Sequence, residues 1–130
     1  MKRTINVVGA IIENDTNEVL CALRSKNMSL PMMWEFPGGK VEKEETLSDT
    51  IIREIKEELD CTIKCISVFN NTEYEDEDII VNLTTVRCEI IKGSPKASEH
   101  AKIIWLPIEY LDTIVWAPAD IPAVKLLMKR

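Results

Sequence analysis

Leu47, Ile51, Ile55 and Leu59 recur at every fourth residue, the spacing of an α-helix that buries one face. Thr46 or Ser48 is placed to cap such a helix, which is predicted to run to about Leu59 with Ile52 beside the stripe. Glu54, Glu57 and Glu58 stand three and four residues apart and read as one acidic side, opposite the apolar stripe. Two carboxylates ~6 Å apart repel by roughly 0.7 kcal/mol in water and ~2.8 kcal/mol at an effective dielectric of 20. The cluster is therefore either a solvated face partnered by Arg53 and Lys56 or a site for a cation, and Glu45 adds a further acid just ahead of it.

The rest of the chain frames this helix. Thr4 to Glu13 reads as a buried strand, followed by the turn Asn14-Asp15-Thr16-Asn17 and a second strand from Glu18 to Leu23, which together suggest a hairpin. Ser25 to Met33 is a loop, Trp34 to Phe36 a short extended piece, and Pro37-Gly38-Gly39 a break. Thr62 to Tyr74 and Ile79 to Ile91 are two long strands joined by an acidic turn. Ile103 to Leu106 is another strand, and Pro118-Ala119-Asp120 opens a last helix ending near Arg130. Strands and helices are interleaved without a strict βαβ rhythm, which points to an α/β (α+β) fold with a mixed sheet packed by helices. The 130 residues are expected to form a single domain, 1–130.

Composition narrows the function. Sixteen basic residues against twenty-two acidic ones give a net charge of −6, which argues against binding a nucleic-acid polymer through its phosphates but leaves room for one small anionic ligand. The apolar stretch from Val7 to Ile12 is far short of the ~20 residues that cross a bilayer, and it ends in Glu13-Asn14-Asp15 with no small-residue cleavage site. No membrane association is expected, and the location is expected to be cytoplasmic. Cys21, Cys61, Cys65 and Cys88 contain no C-x-x-C pair and His100 is the single histidine, so a Cys/His zinc site is poorly supported and reduced buried thiols are expected. An all-oxygen cluster instead suits Mg²⁺, or Mn²⁺ as a substitute. Gly38-Gly39 fits this reading, because glycines let the backbone approach a ligand closely, although an ordinary tight turn has the same sequence.

Gly39, five residues, Glu45, seven residues and then Arg53-Glu54-Ile55-Lys56-Glu57-Glu58-Leu59-Asp60-Cys61 resembles the Nudix box, G-x5-E-x7-R-E-U-x-E-E-x-G-U, where U is bulky and apolar. The one departure is Asp60, at the helix C-terminus where the family usually has glycine. Asp tolerates the left-handed conformation of such a turn better than most residues. Trp34-Glu35-Phe36-Pro37-Gly38-Gly39-Lys40, Glu99 six residues before Trp105, and Pro118-Ala119-Asp120 extend the resemblance to the MutT-like subgroup, and the run WAPADIP looks most like the CTP pyrophosphohydrolases.

This resemblance implies a Nudix fold, a mixed β-sheet sandwiched between α-helices. It implies Glu54, Glu57 and Glu58 as Mg²⁺ ligands with the Gly38 carbonyl, Arg53 orienting a ligand carboxylate, Glu45 in support, and Glu99 as a further ligand or the general base. His100 is expected at the surface. Arg24 and Lys40 are candidates for phosphate contact, Arg24 being otherwise a solvated strand end. Trp34, Phe36 and Trp116 either line a base pocket or pack into the core. Asp120 is either a helix N-cap or a base reader: an ionised carboxylate only accepts, and cytosine offers an amino donor. The MutT-like enzymes that select oxidised guanine carry asparagine at the corresponding place. Asp76 stands where those enzymes have an aromatic base contact.

The implied activity is Mg²⁺-dependent hydrolysis of a (d)NTP to (d)NMP and pyrophosphate for nucleotide-pool sanitising, leaning to cytosine nucleotides (CTP, dCTP or modified dCTP), with 8-oxo-dGTP as the alternative substrate. The expected partner is thus a small nucleoside triphosphate, and the expected state a monomer, with a homodimer as the alternative. Two rivals are a catalytically silent Nudix nucleotide sensor, which should lose box acids that this chain keeps, and an ADP-ribose or dinucleoside polyphosphate hydrolase. The ADP-ribose enzymes often carry a proline past the box that the residues around Asp76 lack.

Overall fold

The computed structural model describes residues 1–129. Its order is β1 (Arg3–Ile12), β2 (Glu18–Leu23), β3 (Trp34–Glu35), β4 (Gly38–Lys40), α1 (Leu47–Leu59), β5 (Thr62–Glu75), β6 (Ile79–Lys92), β7 (Lys102–Pro107), two 3₁₀ segments at Ile108–Thr113 and Pro118–Asp120, and α2 (Ile121–Met128). The predicted end of the last helix at Arg130 falls outside the described residues; α2 stops at Met128.

The mixed sheet is present, and the strands divide between two sheets. The first has the order β4-β1-β6-β5, with β1 and β6 parallel and the other pairs antiparallel; the second is β3-β2-β7, antiparallel throughout. The expected β1–β2 hairpin is therefore not a paired ladder. Both edges of β1 are taken, by β4 and β6, so β2 peels away after the single bridge Glu13–Val19 and pairs with β3 and β7. The predicted turn is real: the Asn14 side chain accepts from the backbone N–H of Thr16 and of Glu18. The long β5–β6 hairpin forms as expected, with register shifts along it.

Side chains on opposite faces of the strands feed two cores. Val8, Ala10, Ile12 and Leu20 pack with Ile51, Ile55 and Leu59 of α1, while Ile11, Val19 and Cys21 pack with Ala123, Val124 and Leu127 of α2. The period-2 alternation along β1 thus places a helix on each side of the strands. Ile52 does not join the stripe and remains exposed. All four cysteines are free thiols, three of them buried and Cys65 half-buried.

Helix α1 is held at both ends. The Thr46 hydroxyl accepts from Asp49 N at 3.1 Å and the Asp49 carboxylate accepts from Thr46 N at 3.3 Å, a reciprocal capping box. Asp60 takes the left-handed conformation, φ 55° and ψ 41°, and its N–H reaches Lys56 O. Asp60 therefore performs the turn usually made by glycine, at a cost of roughly 1 kcal/mol.

Gly38 fixes the other side of the site. It pairs with Gly9 across β1/β4, and a Cβ there would run into the Val8 carbonyl and lie 2.9 Å from Gly9 Cα. The obstacle is backbone, which cannot swing away. Gly38→Ala should therefore lower stability by about 1–3 kcal/mol, the overpacking range, seen as a lower urea midpoint and melting temperature. An unchanged midpoint would mean that β4 relaxes freely.

Candidate active site

The carboxylate helix is not arranged as its sequence suggests. Glu54 and Glu58 stand two turns beyond Leu47 and Ile51, so they lie almost in line with the apolar stripe rather than opposite it. Glu58 is buried, the Glu54 side chain is 17% exposed, and only Glu57, at 58%, projects into solvent. Burial raises the Glu58 pKa to about 9, reinforced by the charges of Glu54, Glu35 and Glu99. Glu58 Oε1 has no hydrogen-bond partner. Gly38 and Gly39 are not the expected turn but residues of β4, and Glu54 lies against Gly39, where an added Cβ would collide with its carboxylate, so β4 and the helix touch.

Arg53 holds this group together. Its Nε and Nη2 donate to the two Glu45 oxygens, each at 2.9 Å, and its Nη1 donates to Glu54 at 3.3 Å and approaches Glu57 at 3.6 Å. The fork-to-fork pair with Glu45, more than the longer i,i+4 contact with Glu57, sets the guanidinium. It draws the Glu45 pKa down to about 2, aided by the Thr50 hydroxyl and the Glu42 N–H.

Beside the helix lies a cavity of about 510 Å³, within the range of small-ligand sites. Val7 and Val8 of β1, Leu83 of β6 and Phe36 form apolar wall; Arg24, Glu35, Gly38, Gly39, Lys40, Asp76 and Asp120 supply the polar rim. Asp120 reaches it through a return of the chain: Trp34 N donates to Val115 O and Ala117 N to Trp34 O, which lays residues 115–117 alongside β3. Asp120 Oδ1 then accepts from Phe36 N at 3.3 Å, and its side chain makes no cap bond to α2. Asp120 thus stands at the N-cap position of α2 without its side chain capping the helix. Burial, with Glu35 nearby, raises its pKa well above the usual carboxylate range.

The aromatic residues separate. Phe36 lines the cavity, with its ring 4.8 Å from that of Trp116. Trp116 is buried and donates from Nε1 to Leu111 O, and Trp34 packs into the α2-side core. Arg24 is no solvated strand end: it pairs with Glu35 at 2.6 Å and binds the Ser29 carbonyl and hydroxyl. Lys40 is exposed at the rim. Asp76 also meets the cavity, but its carboxylate accepts from Asp78 N and Ile79 N, which lowers its pKa. His100 departs furthest from expectation. It is buried, its Nε2 is 2.8 Å from Glu35 Oε2, and its Nδ1 faces Glu58 Oε1 at 3.9 Å.

The donor set fits a hard divalent cation. A buried carboxylate oxygen with no partner is costly unless a ligand completes it, and here Glu58 Oε1 stands on the helix that carries Glu54, which lies against Gly39 of β4. Among the described residues no three His, Cys, Asp or Glu side chains are already gathered to hold an ion. Glu57 is the acid with freedom to turn inward, being exposed and only loosely tied to Arg53.

The NUDIX domain model matches residues 3–127. The chain belongs to the Nudix domain family. It is similar to the 8-oxo-dGTP diphosphatase of Escherichia coli K12, 32% identical with 99% of each chain covered. It is also similar to the CTP pyrophosphohydrolase of the same strain, 32% identical over 97% of this chain and 93% of that one. A solution structure described as DNA mismatch repair protein MutT, family Nudix hydrolase, from methicillin-resistant Staphylococcus aureus 252 is 55% identical. It superposes with a TM-score of 0.81, covering 99% of this chain and 98% of that one.

As a Nudix hydrolase, a nucleotide pyrophosphohydrolase by family, the chain has a sequence motif whose parts meet in space: Gly39 touches Glu54, and Glu45 clasps Arg53. Nudix hydrolases generally use divalent metals, in keeping with the oxygen-rich helix. Sequence reasoning missed Glu35 as a site residue, although it lies inside the run from Trp34 to Lys40. It also missed the β1 and β6 side chains of the cavity wall, since an apolar strand residue facing a pocket reads the same as one facing a core.

Proposed function

We propose that this Nudix hydrolase is a Mg²⁺-dependent nucleoside triphosphate pyrophosphohydrolase that leans to cytosine nucleotides and cleans the cytoplasmic nucleotide pool. The observation that carries the reading is the pairing of two buried carboxylates. Glu58 on the acidic helix has one oxygen, Oε1, without a partner, and Asp120 stands in the wall of the adjoining cavity. Glu54, Glu57 and Glu58, with the Gly38 carbonyl, would hold the cation. When bound, it neutralises charge along the triphosphate and acidifies the attacking water.

The chain's own residues do the rest. The base enters against Phe36, Val8 and Leu83, and Asp120 accepts from its amino group. Lys40 meets phosphate at the rim. Arg24 keeps two of its five N–H donors for the same task after binding Glu35 and Ser29. Water attacks a phosphorus, a P–O bond of the triphosphate breaks, and pyrophosphate leaves as the nucleoside monophosphate forms. Glu99 or one of the helix glutamates takes the water's proton.

The test is pyrophosphate release from CTP, dCTP, methylated dCTP, 8-oxo-dGTP and ADP-ribose, each with Mg²⁺ and with excess EDTA. The highest kcat/KM is expected in the cytosine series, with EDTA reducing every rate to background. Preference for 8-oxo-dGTP would select the second reading, which the E. coli 8-oxo-dGTP diphosphatase supports at the same 32% identity. Turnover of ADP-ribose alone, or of nothing, would reject the proposal, the latter outcome leaving a silent sensor.

A further inference from the structure

We propose that His100 is a positioning residue: its buried imidazole is a strut between Glu35 in the cavity wall and Glu58 on the acidic helix, and it sets the loop that carries Glu99. The inference rests on the reading of that cavity and helix as one active site. The His100 side chain is 2% exposed, a degree of burial with no precedent in its loop, where Ser94 to Glu99 are half-buried or exposed. Its Nε2 is hydrogen-bonded to Glu35 Oε2 at 2.8 Å, and Glu35 is in turn clamped by Arg24. A carboxylate offers acceptors only, so Nε2 is the donor to Glu35.

That Nδ1 faces Glu58 Oε1 at 3.9 Å, and neither atom has a hydrogen-bond partner. The gap is too long for a direct bond. A histidine serving only the core would have both ring nitrogens satisfied, as buried polar groups nearly always are. Here the unsatisfied end points at the unsatisfied carboxylate of the acidic helix. The imidazole closes one side of that carboxylate.

The loop is stitched on both sides of this point. Lys96 N donates to Leu59 O at 2.8 Å, Ser98 Oγ to Glu58 O at 2.6 Å, and Ala101 N to Leu23 O at 2.9 Å. Two bonds hold the last turn of α1 and one holds the end of β2. Glu99 is left exposed between Ser98 and His100, both of which are anchored. Its charge is the smallest of those that help raise the Glu58 pKa. Removing the imidazole takes one of the two holds on Glu35, leaving Arg24, and removes the wall facing Glu58 and the anchor beside Glu99, although His100 itself touches no reacting atom.

The test compares His100→Leu with His100→Gln, which keeps an N–H donor near the Nε2 position. Three quantities are read: kcat and KM on the best nucleotide, Mn²⁺ affinity of the nucleotide-free protein by paramagnetic resonance, and the urea midpoint. Loss of a residue that orients ligands costs about 10- to 100-fold in metal affinity or activity. His100→Leu should lose that much in kcat and in Mn²⁺ affinity with a smaller change in KM, and His100→Gln should recover most of both. A midpoint shift with kcat and Mn²⁺ affinity held within twofold would overturn the proposal, as would a glutamine variant no better than leucine. If His100→Leu does not fold, the comparison of His100→Gln with wild type decides, a loss beyond about tenfold in both quantities overturning the Glu35 strut. Wild-type protein that binds Mn²⁺ but hydrolyses no nucleotide would refute the proposed function alone, with the Mn²⁺ measurements still deciding the role of His100. If it binds no Mn²⁺ either, both fall.

Discussion

Glu58→Gln should slow hydrolysis by at least ~10²-fold while leaving the metal-free protein as stable as before, or more so above neutral pH. The rate loss corresponds to ~2.7 kcal/mol of transition-state stabilisation, the scale at stake when a cation that offsets phosphate charge is lost. The stability side follows from burial. Glu58 is 6% exposed, Oε1 lacks a partner, and its pKa is raised from 4.5 to about 9. Between those values the folded chain keeps a proton that the unfolded chain has released, so metal-free stability falls as pH rises through the window. Glutamine removes that slope; Asp120, raised in the same direction, keeps its own share. A cation binding Glu58 must displace the proton, so Mg²⁺ should raise the melting temperature of wild type increasingly from pH 6 toward pH 8, and do little for the variant. The measurement is melting temperature against pH with and without Mg²⁺, beside steady-state rates. Near-normal turnover, or an undiminished Mg²⁺ shift in the variant, would remove Glu58 from the ligand set.

The contrast between Glu57 and Glu58 illustrates what the sequence makes legible. The helix, its Thr46 cap and its left-handed end at Asp60 follow from local rules: period, capping chemistry and a short polar side chain at the turn. The residues of the family motif are local too, and their contacts, Glu45 with Arg53 and Gly39 with Glu54, are made between β4, the loop after it and the helix that follows. What escaped depends on partners distant in the chain. Glu58 looks like its solvent-facing neighbour until His100, 42 positions later, is seen beside it. His100 looks like a loop histidine until Glu35, 65 positions earlier, is seen bonded to it. Splitting β1 from β2 requires knowing that β4 and β6 occupy both edges of β1, which no feature of the Asn14 turn announces. Asp120 reads equally as a cap and as a pocket residue because aspartate suits both. The bond from Phe36 N, across 84 positions, decides against the cap.

Asp120→Asn should shift base preference with little effect on the fold. The asparagine carbonyl can accept from Phe36 N as Asp120 Oδ1 does at 3.3 Å, so the anchor survives. The second position changes character. Cytosine's amino donor favours the ionised carboxylate, which accepts only, over the protonated form that burial favours in the free protein; an amide donates in either case, so it can offer a hydrogen to O6 of 8-oxoguanine while its carbonyl accepts from N7–H. One hydrogen bond made or broken in a pocket is worth about 1–3 kcal/mol, or roughly 5- to 200-fold in a ratio of kcat/KM values. Folding benefits as well, because burial penalises the charged carboxylate, whose pKa is raised, and imposes no such penalty on an amide. The decisive quantity is kcat/KM for dCTP divided by that for 8-oxo-dGTP, measured before and after substitution, with the urea midpoint as control. A fall of fivefold or more at an unchanged or higher midpoint identifies Asp120 as the base reader. A ratio held within twofold would reduce it to an anchor for the Phe36 backbone, and the lean toward cytosine would lose its physical basis.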